Sequence, residues 1–185
     1  MNELSLYILD LAQNSVAAKA TRIRISIEID TDNDKIRVLL EDNGCGMDEA
    51  LLRSVVSPFT TTRKTRKVGL GIPMIKQLCE MCEGEFGIES KVGEGTTLSL
   101  TFTRSHVDLP PMGAIEDTLV SLINGSPEDI EFEFSYRYGE SLFEFSTQEV
   151  RKVLDGVPLN TPDVLMWIRG YLEEGIGEAE NGMHN

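Results

Sequence analysis

Hydrophobic positions along this chain change their spacing several times, and each change marks an element. Leu4, Ile8, Leu11 and Ala12 recur at helical spacing, with Leu9 and Val16 widening the stripe, which predicts a helix from Leu4 to about Ala18. From Arg22 to Asp30 apolar and polar residues alternate without a break, Thr31-Asp32-Asn33-Asp34 is turn chemistry, and Ile36, Val38 and Leu40 resume the alternation. That is a hairpin with one apolar face. Asp48 to Val56 reads as a short helix capped by Asp48, and Ile72 to about Cys82 as another with Pro73 in its first turn, where a missing N–H costs nothing. Phe86 and Ile88 mark a strand, Lys91 to Gly95 a turn, and Thr96, Leu98, Leu100 and Phe102 a further strand.

Beyond Arg104 the pattern restarts. Leu109-Pro110-Pro111 is a linker, Ala114 to Ile123 a helix stopped at Asn124-Gly125, and Asp129 to Tyr136 a strand in which Ile130, Phe132 and Phe134 alternate with acids. A turn at Tyr138-Gly139-Glu140 leads to a strand from Ser141 to Phe145, then helices at Thr147 to Leu154 and Thr161 to Glu174. The expected fold class is α+β: a two-layer α/β sandwich, its sheet mixed but mainly antiparallel with helices on one face, plus a small α+β C-terminal extension. The expected division is an N-terminal domain over 1–104, an acidic extension over 105–175 and a flexible tail over 176–185.

Composition adds limits to this outline. A chain of 185 residues that is 41% hydrophobic can bury a good core. The N-terminus lacks a basic region ahead of an apolar stretch, and no apolar run approaches the ~18 residues of a membrane span. A cytoplasmic protein with no membrane partner is expected. The 3 cysteines are an odd number and argue for a reducing compartment. Cys79 and Cys82 resemble half a metal site, but they lie one helical turn apart beside Leu78 and Met81 and read as core. The net charge of −14 is uneven: 13 Lys/Arg against 15 Asp/Glu give −2 in residues 1–104, and 4 against 16 give −12 in 105–185. The acidic half argues against nucleic acid as a partner and for a basic protein.

Candidate chemistry gathers between Ile36 and Gly71. Asp42 shares the parity of Ile36, Val38 and Leu40, which aims its carboxylate at the buried face. Gly44 and Gly46 then permit a tight turn and close approach of another molecule to the backbone. A second pair, Gly69 and Gly71, opens a helix whose unpaired amides suit an anion. A buried acceptor beside a phosphate-friendly helix start points to ATP, with adenine donating its exocyclic amine to Asp42. Between the two glycine pairs, the segment from Ser57 to Val68 carries four basic residues and four threonines, including Thr61, Arg63 and Lys67, and reads as a lid over phosphates with Phe59 anchoring its near end. Asp10 and Asn14 are neighbours on one helix face, Asn14 a hard oxygen ligand for Mg²⁺ and Asp10 a potential proton acceptor from water.

The order of these motifs resembles the GHKL ATPases, the group of gyrase B, the large heat-shock chaperone, histidine kinases and MutL-type proteins. Asp10-Leu-Ala-Gln-Asn14 is similar to the family's N box, Asp42-Asn-Gly-Cys-Gly46 to its first glycine box, Gly69-Leu70-Gly71 to its second, and Gly93-Glu-Gly-Thr96-Thr97 to its third. Pro58-Phe59-Thr60-Thr61-Thr62 resembles the F box of histidine kinases. The resemblance implies an ATP·Mg²⁺ site in which Asn14 ligates the metal and Asp42 accepts from adenine. Gly44, Gly46, Met47, Phe59, Thr61, Lys67, Gly69, Leu70, Gly71, Thr96 and Thr97 would complete the nucleotide contacts, and Asp10 would be the catalytic residue. The stretch around Asn14 looks most like the MutL type, whereas the F box looks like a kinase.

Two departures from the family pattern shape the expected activity. Hydrolytic branches place Glu where Asp10 stands, and histidine kinases often place Asn; Asp is one methylene shorter. Only Met1 to Glu3 stand ahead of the first helix in this sequence, and His106 and His184 both come after the family motifs, so a phosphoacceptor on a separate protein is the expectation. The expectation is therefore an ATP·Mg²⁺-binding protein that phosphorylates or regulates a separate protein. The alternatives are a non-catalytic switch read by a partner, and a MutL-like clamp that forms a homodimer on ATP.

Overall fold

The alternation of Arg22–Asp30 produces a strand, β1, whose Ile23, Ile25, Ile27 and Ile29 are all buried. The structure, a computed structural model, describes residues 2–57 and 71–182. The turn after β1 returns the chain as β2 (Lys35–Asp42), antiparallel from Asp30↔Lys35 to Ile23↔Asp42. Asp30 ties that turn down: its carboxylate accepts from the Asn33 N–H at 3.0 Å, from Asn33 Nδ2 at 2.8 Å and from Arg37 at 2.9 Å. These donors, the Asn33 side chain foremost, hold its pKa down at about 2.

β3 (Phe86–Lys91), β4 (Gly95–Thr103), β5 (Glu131–Tyr138) and β6 (Ser141–Ser146) complete a sheet of order β3-β4-β2-β1-β5-β6. Its neighbours are antiparallel except β1 and β5, which run parallel from Arg22↔Glu131 to Ile29↔Tyr138. The helices are α1 (Leu4–Ala17), α2 (Glu49–Val56), α3 (Gly71–Met81), α4 (Ile115–Gly125), α5 (Thr147–Leu154) and α6 (Pro162–Asn181). α2 begins where Asp48 accepts the Leu51 N–H at 2.8 Å. Apolar sides of the helices share one core with the isoleucines of β1, Leu40 of β2, Leu98 and Phe102 of β4 and Phe134 of β5. The other sheet face is polar: Arg24 bridges Glu41 of β2 and Glu133 of β5, and Arg37 bridges Glu28 and Asp30.

Residues beyond 104 continue this sheet and helix layer. Phe132, Phe134 and Tyr136 of β5 are buried on the isoleucine side of β1, and α4, with Ile115, Leu119, Leu122 and Ile123 buried, packs beside α1 and α6. The start of α1 is pinned by the same segment, Leu4 N–H donating to Pro111 O at 2.9 Å, Ser5 N–H to Met112 O at 2.8 Å and Thr118 Oγ1 to Ser5 O at 3.1 Å. The expected flexible tail at 176–185 is corrected as far as Asn181, because α6 runs on to that residue with Ile176 and Ala179 buried. Its glycines suggest fraying, yet Gly175 is where the Phe143 ring lies on the helix; a Cβ there would come within 2.1 Å of it. Tyr136 then donates to Glu180 at 2.7 Å.

This packing carries two expectations. A chain ending at Arg104 exposes the second edge of β1 and the α4 side of α1, so it should aggregate and lose a cooperative thermal transition, as size-exclusion chromatography and circular dichroism would show. A soluble, cooperatively melting fragment would contradict the shared core. For Asp30, the folded pKa lies below the ordinary 3.8, so its stabilisation is present above that value and lost as pH falls towards about 2. NMR titration should place its midpoint there, and Asn33→Ala should move it back towards 3.8.

Candidate functional site

β2 ends on Asp42, and α1 lies over that end. The register puts Asp42 on the helix side, where Oδ2 accepts from Ser15 Oγ at 2.5 Å and Oδ1 from the Gly44 N–H at 2.8 Å. The carboxylate is thereby fixed from two directions. Gly44 is buried, and a Cβ there would stand 2.8 Å from Ala18 O and 3.0 Å from Asp42 Oδ1, so its bareness serves the approach of α1 to the loop. Gly46, at φ +68°, passes so close to the β3–β4 turn that a Cβ would meet Lys91 O at 2.0 Å. Any other residue at Gly46 would be strained in the backbone and would also clash.

Several main-chain bonds keep this loop in place. Cys45 N–H donates to Ala18 O at 2.9 Å and Gly93 N–H to Cys45 O at 2.8 Å. Asn43 Oδ1 accepts from the N–H groups of Thr21 and Arg22, at 2.9 and 2.8 Å, anchoring the loop to the start of β1. Ser90 Oγ accepts the Met47 N–H at 2.8 Å and lies 2.8 Å from Thr96 Oγ1.

Asp42 lines a cavity of about 360 Å³ that has Leu11, Val55 and Leu98 among its walls. Asn14, Asp42, Gly46, Met47 and Thr96 all line it. The Nδ2 of Asn14 is buried there with no hydrogen-bond partner among the described residues. An orphaned buried amide is a costly arrangement unless something else fills the space beside it. Asp10, one turn back along α1, does not line the cavity; its carboxylate abuts Gly71 at the start of α3, where a Cβ would come within 2.1 Å of Oδ2. Gly71 thus lets the helix start approach α1, and Ile72 beside it lines the cavity.

Thr97 is a correction. It pairs with Glu41 and Glu89 and has the parity opposite to Leu98 and Leu100, so it faces away from the cavity that Thr96 lines. Phe59, Thr61, Lys67, Gly69 and Leu70 lie outside the described residues. Ser15 and Ser90 escape a reading of the sequence; the one available signal is that Ser15 falls within the apolar stripe of α1, where it is 3% exposed. Cys79 and Cys82 are buried in the core, burial pushing the Cys79 thiol up to about 12 and the Cys82 thiol upward as well.

Residues 2–106 match the family of histidine kinase-, DNA gyrase B- and HSP90-like ATPases. A sensor protein of Shewanella frigidimarina is 36% identical over 108 residues, covering 57% of this chain and 16% of that protein. The signal transduction histidine-protein kinase AtoS of Escherichia coli is 32% identical over 98 residues, covering 52% of this chain and 16% of its own length. Among solved structures, the Aquifex aeolicus MutL ATPase domain complexed with ADP aligns at TM-score 0.45 and 16% identity over 84% of this chain and 70% of that one. The catalytic domain of histidine kinase ThkA aligns at TM-score 0.42 and 27% identity, over 54% of this chain and 64% of that one. The match over residues 2–106 spans more than half of the chain and contains the residues that line the cavity, so the chain belongs to the histidine kinase-, DNA gyrase B- and HSP90-like ATPase family, for which ATP binding is the implied property.

Proposed function

We propose that the cavity binds ATP with Mg²⁺ and that the bound nucleotide is used to phosphorylate or regulate a separate protein. The observation that carries this reading is the Asp42 carboxylate, held by Ser15 and Gly44 in a mainly apolar cavity. Each of its oxygens accepts one bond from the protein and keeps acceptor capacity for an amine such as that of adenine. The apolar walls suit a flat heteroaromatic ring, and the volume falls in the range of small-molecule sites.

Asn14 fits the metal. Its two amide ends differ only in which way the group is turned, so the carboxamide oxygen can face the same space. Asn14 would offer its oxygen to a Mg²⁺ ion that takes its remaining ligands from phosphate and water. Mg²⁺, when bound, neutralises phosphate charge and polarises the transferred group. Asp10 holds a proton acceptor at the start of α3, close to where phosphates would meet the helix amides. Asp10 stands outside the residues that line the cavity, so it is assigned to proton transfer rather than to binding the base. A second reading is a switch that binds ATP without hydrolysing it, because Asp is one methylene shorter than the Glu of the hydrolytic branches.

ATP with Mg²⁺ at about a hundred times its Kd should add about 2.7 kcal/mol of stability. At roughly 2 to 4 °C per kcal/mol, the melting temperature should rise by roughly 5 to 10 °C. Asp42→Asn turns an acceptor into a donor facing the amine and should abolish most of that rise; an unchanged shift would remove Asp42 from recognition of the base. For the polar face of α1, Asn14→Ala should weaken Mg²⁺-dependent binding, while Asp10→Asn should leave binding intact and lower any hydrolysis. Equal loss of binding in both variants would reduce the pair to a structural role. With radiolabelled ATP, label on a protein partner establishes a kinase, free phosphate an ATPase, and neither a switch.

A further inference from the structure

The far edge of the sheet carries a second, larger depression of about 560 Å³, lined by β5, β6, α5 and α6 and sharing no residue with the nucleotide cavity. Six of the eleven exposed large hydrophobic side chains among the described residues fall between 142 and 171. Trp167 is 55% exposed and stacks on Tyr171 with ring centres 5.3 Å apart, and Tyr171 leans on Phe143 at 5.6 Å and Phe145 at 6.3 Å. An aromatic cluster that begins in the core thus ends in the open.

β6 borders this groove as the last strand of the sheet, and no strand among the described residues pairs with its outer side. Edge strands are usually protected by lysine, proline or a bulge. Ser141–Ser146 contains neither lysine nor proline, and its one charge is Glu144. The groove also has a definite electrostatic sign. Of its charged lining, Arg24 is taken up by Glu133 and Glu41, and Glu149 pairs with Lys152, whereas Glu144 has no ion pair among the described residues. The segment from 105 to 185 holds 4 Lys/Arg against 16 Asp/Glu.

We propose that this groove and the free edge of β6 receive an extended segment of a partner protein that alternates apolar residues with lysine or arginine, added to the six-stranded sheet as one more strand. Main-chain bonds to β6 supply affinity, alternate apolar side chains fill the groove beside Trp167 and Tyr171, and the basic ones face Glu144. The aromatic platform also suits a cation over its face. A second copy is the poorer occupant, because edge-to-edge pairing would bring two strongly acidic halves together. The site is independent of nucleotide.

Trp167 is the only tryptophan of the 185-residue chain, so its intrinsic fluorescence reports on the groove directly. The probes are a synthetic nine-residue peptide alternating lysine and valine, the same peptide with glutamate for lysine, and the lysine peptide with a central proline. The lysine peptide should change Trp167 emission saturably and bind roughly tenfold or more tightly than the glutamate peptide, the central proline should abolish the response, and Glu144→Lys should weaken the lysine peptide by about tenfold. The proposal is overturned if the acidic peptide binds equally well, if the proline peptide binds unchanged, or if no peptide gives a saturable response. Emission that tracks protein concentration together with dimer sedimentation would assign the groove to a second copy and overturn it likewise. Asp42→Asn should bind the peptide normally, so a failure of the nucleotide reading leaves this result standing.

Discussion

Pairing of β1 on both edges is the constraint on which the rest of the molecule rests. One edge is given to β2 within the hairpin and the other to β5, which arrives about a hundred residues later and runs parallel. On the outer face, Arg24 ties the three strands through Glu41 and Glu133, but exposed ion pairs of this kind contribute at most about 1 kcal/mol each. On the inner face, Ile23, Ile25 and Ile27 are at most 1% exposed, and burying one such side chain is worth about 1.5 to 3 kcal/mol. Burial and main-chain ladder bonds, rather than the conspicuous surface pairs, join the family domain to the acidic C-terminal half.

The same register builds the site. Ile23 faces Asp42 across the hairpin, and a slip of β2 by one residue would turn Asp42 to the polar face along with Ile36, Val38 and Leu40 of the same strand. The core therefore enforces the direction of the carboxylate. α1, packed on that core and clamped at its start by Pro111 and Met112, delivers Ser15 to Asp42 and Asn14 to the cavity beside it. Because Ser15 and Gly44 satisfy the carboxylate in part, it can stand among apolar walls without the full penalty of an unpaired charge.

Legibility in the residues depends on the reach of each signal. The unbroken alternation of Arg22–Asp30 and the parity of Asp42 are local, and the strand, the hairpin and the direction of the carboxylate are all readable from them. The Asp48 cap is equally local. Membership of a glycine-box motif misplaces Thr97, whereas its parity against Leu98 already turns it outward. Ser15 is one serine on a helix, and only contact with a residue 27 positions away gives it meaning. The parallel pairing of β5 with β1 and the seat of Phe143 on Gly175 are also non-local, which is why a separate extension and a frayed tail look reasonable in the sequence and a continuous sheet and helix appear in the fold.

The uneven charge then finds a place in the architecture. Among the described residues none beyond Leu98 lines the cavity, so the strongly acidic segment after 104 adds nothing to the immediate surroundings of an anion bound there. Three strand spacings separate β2, which carries Asp42, from β6 at the far edge, roughly 14 Å at about 4.8 Å each. That exceeds the Debye length of about 8 Å at physiological ionic strength, so repulsion between exposed charges at the two sites is largely screened. An acidic rim on the β6 edge and an anionic ligand at the end of β2 are therefore compatible in one sheet. The β6 edge and the end of β2 can answer to partners of opposite charge, while the core they share fixes the distance between them.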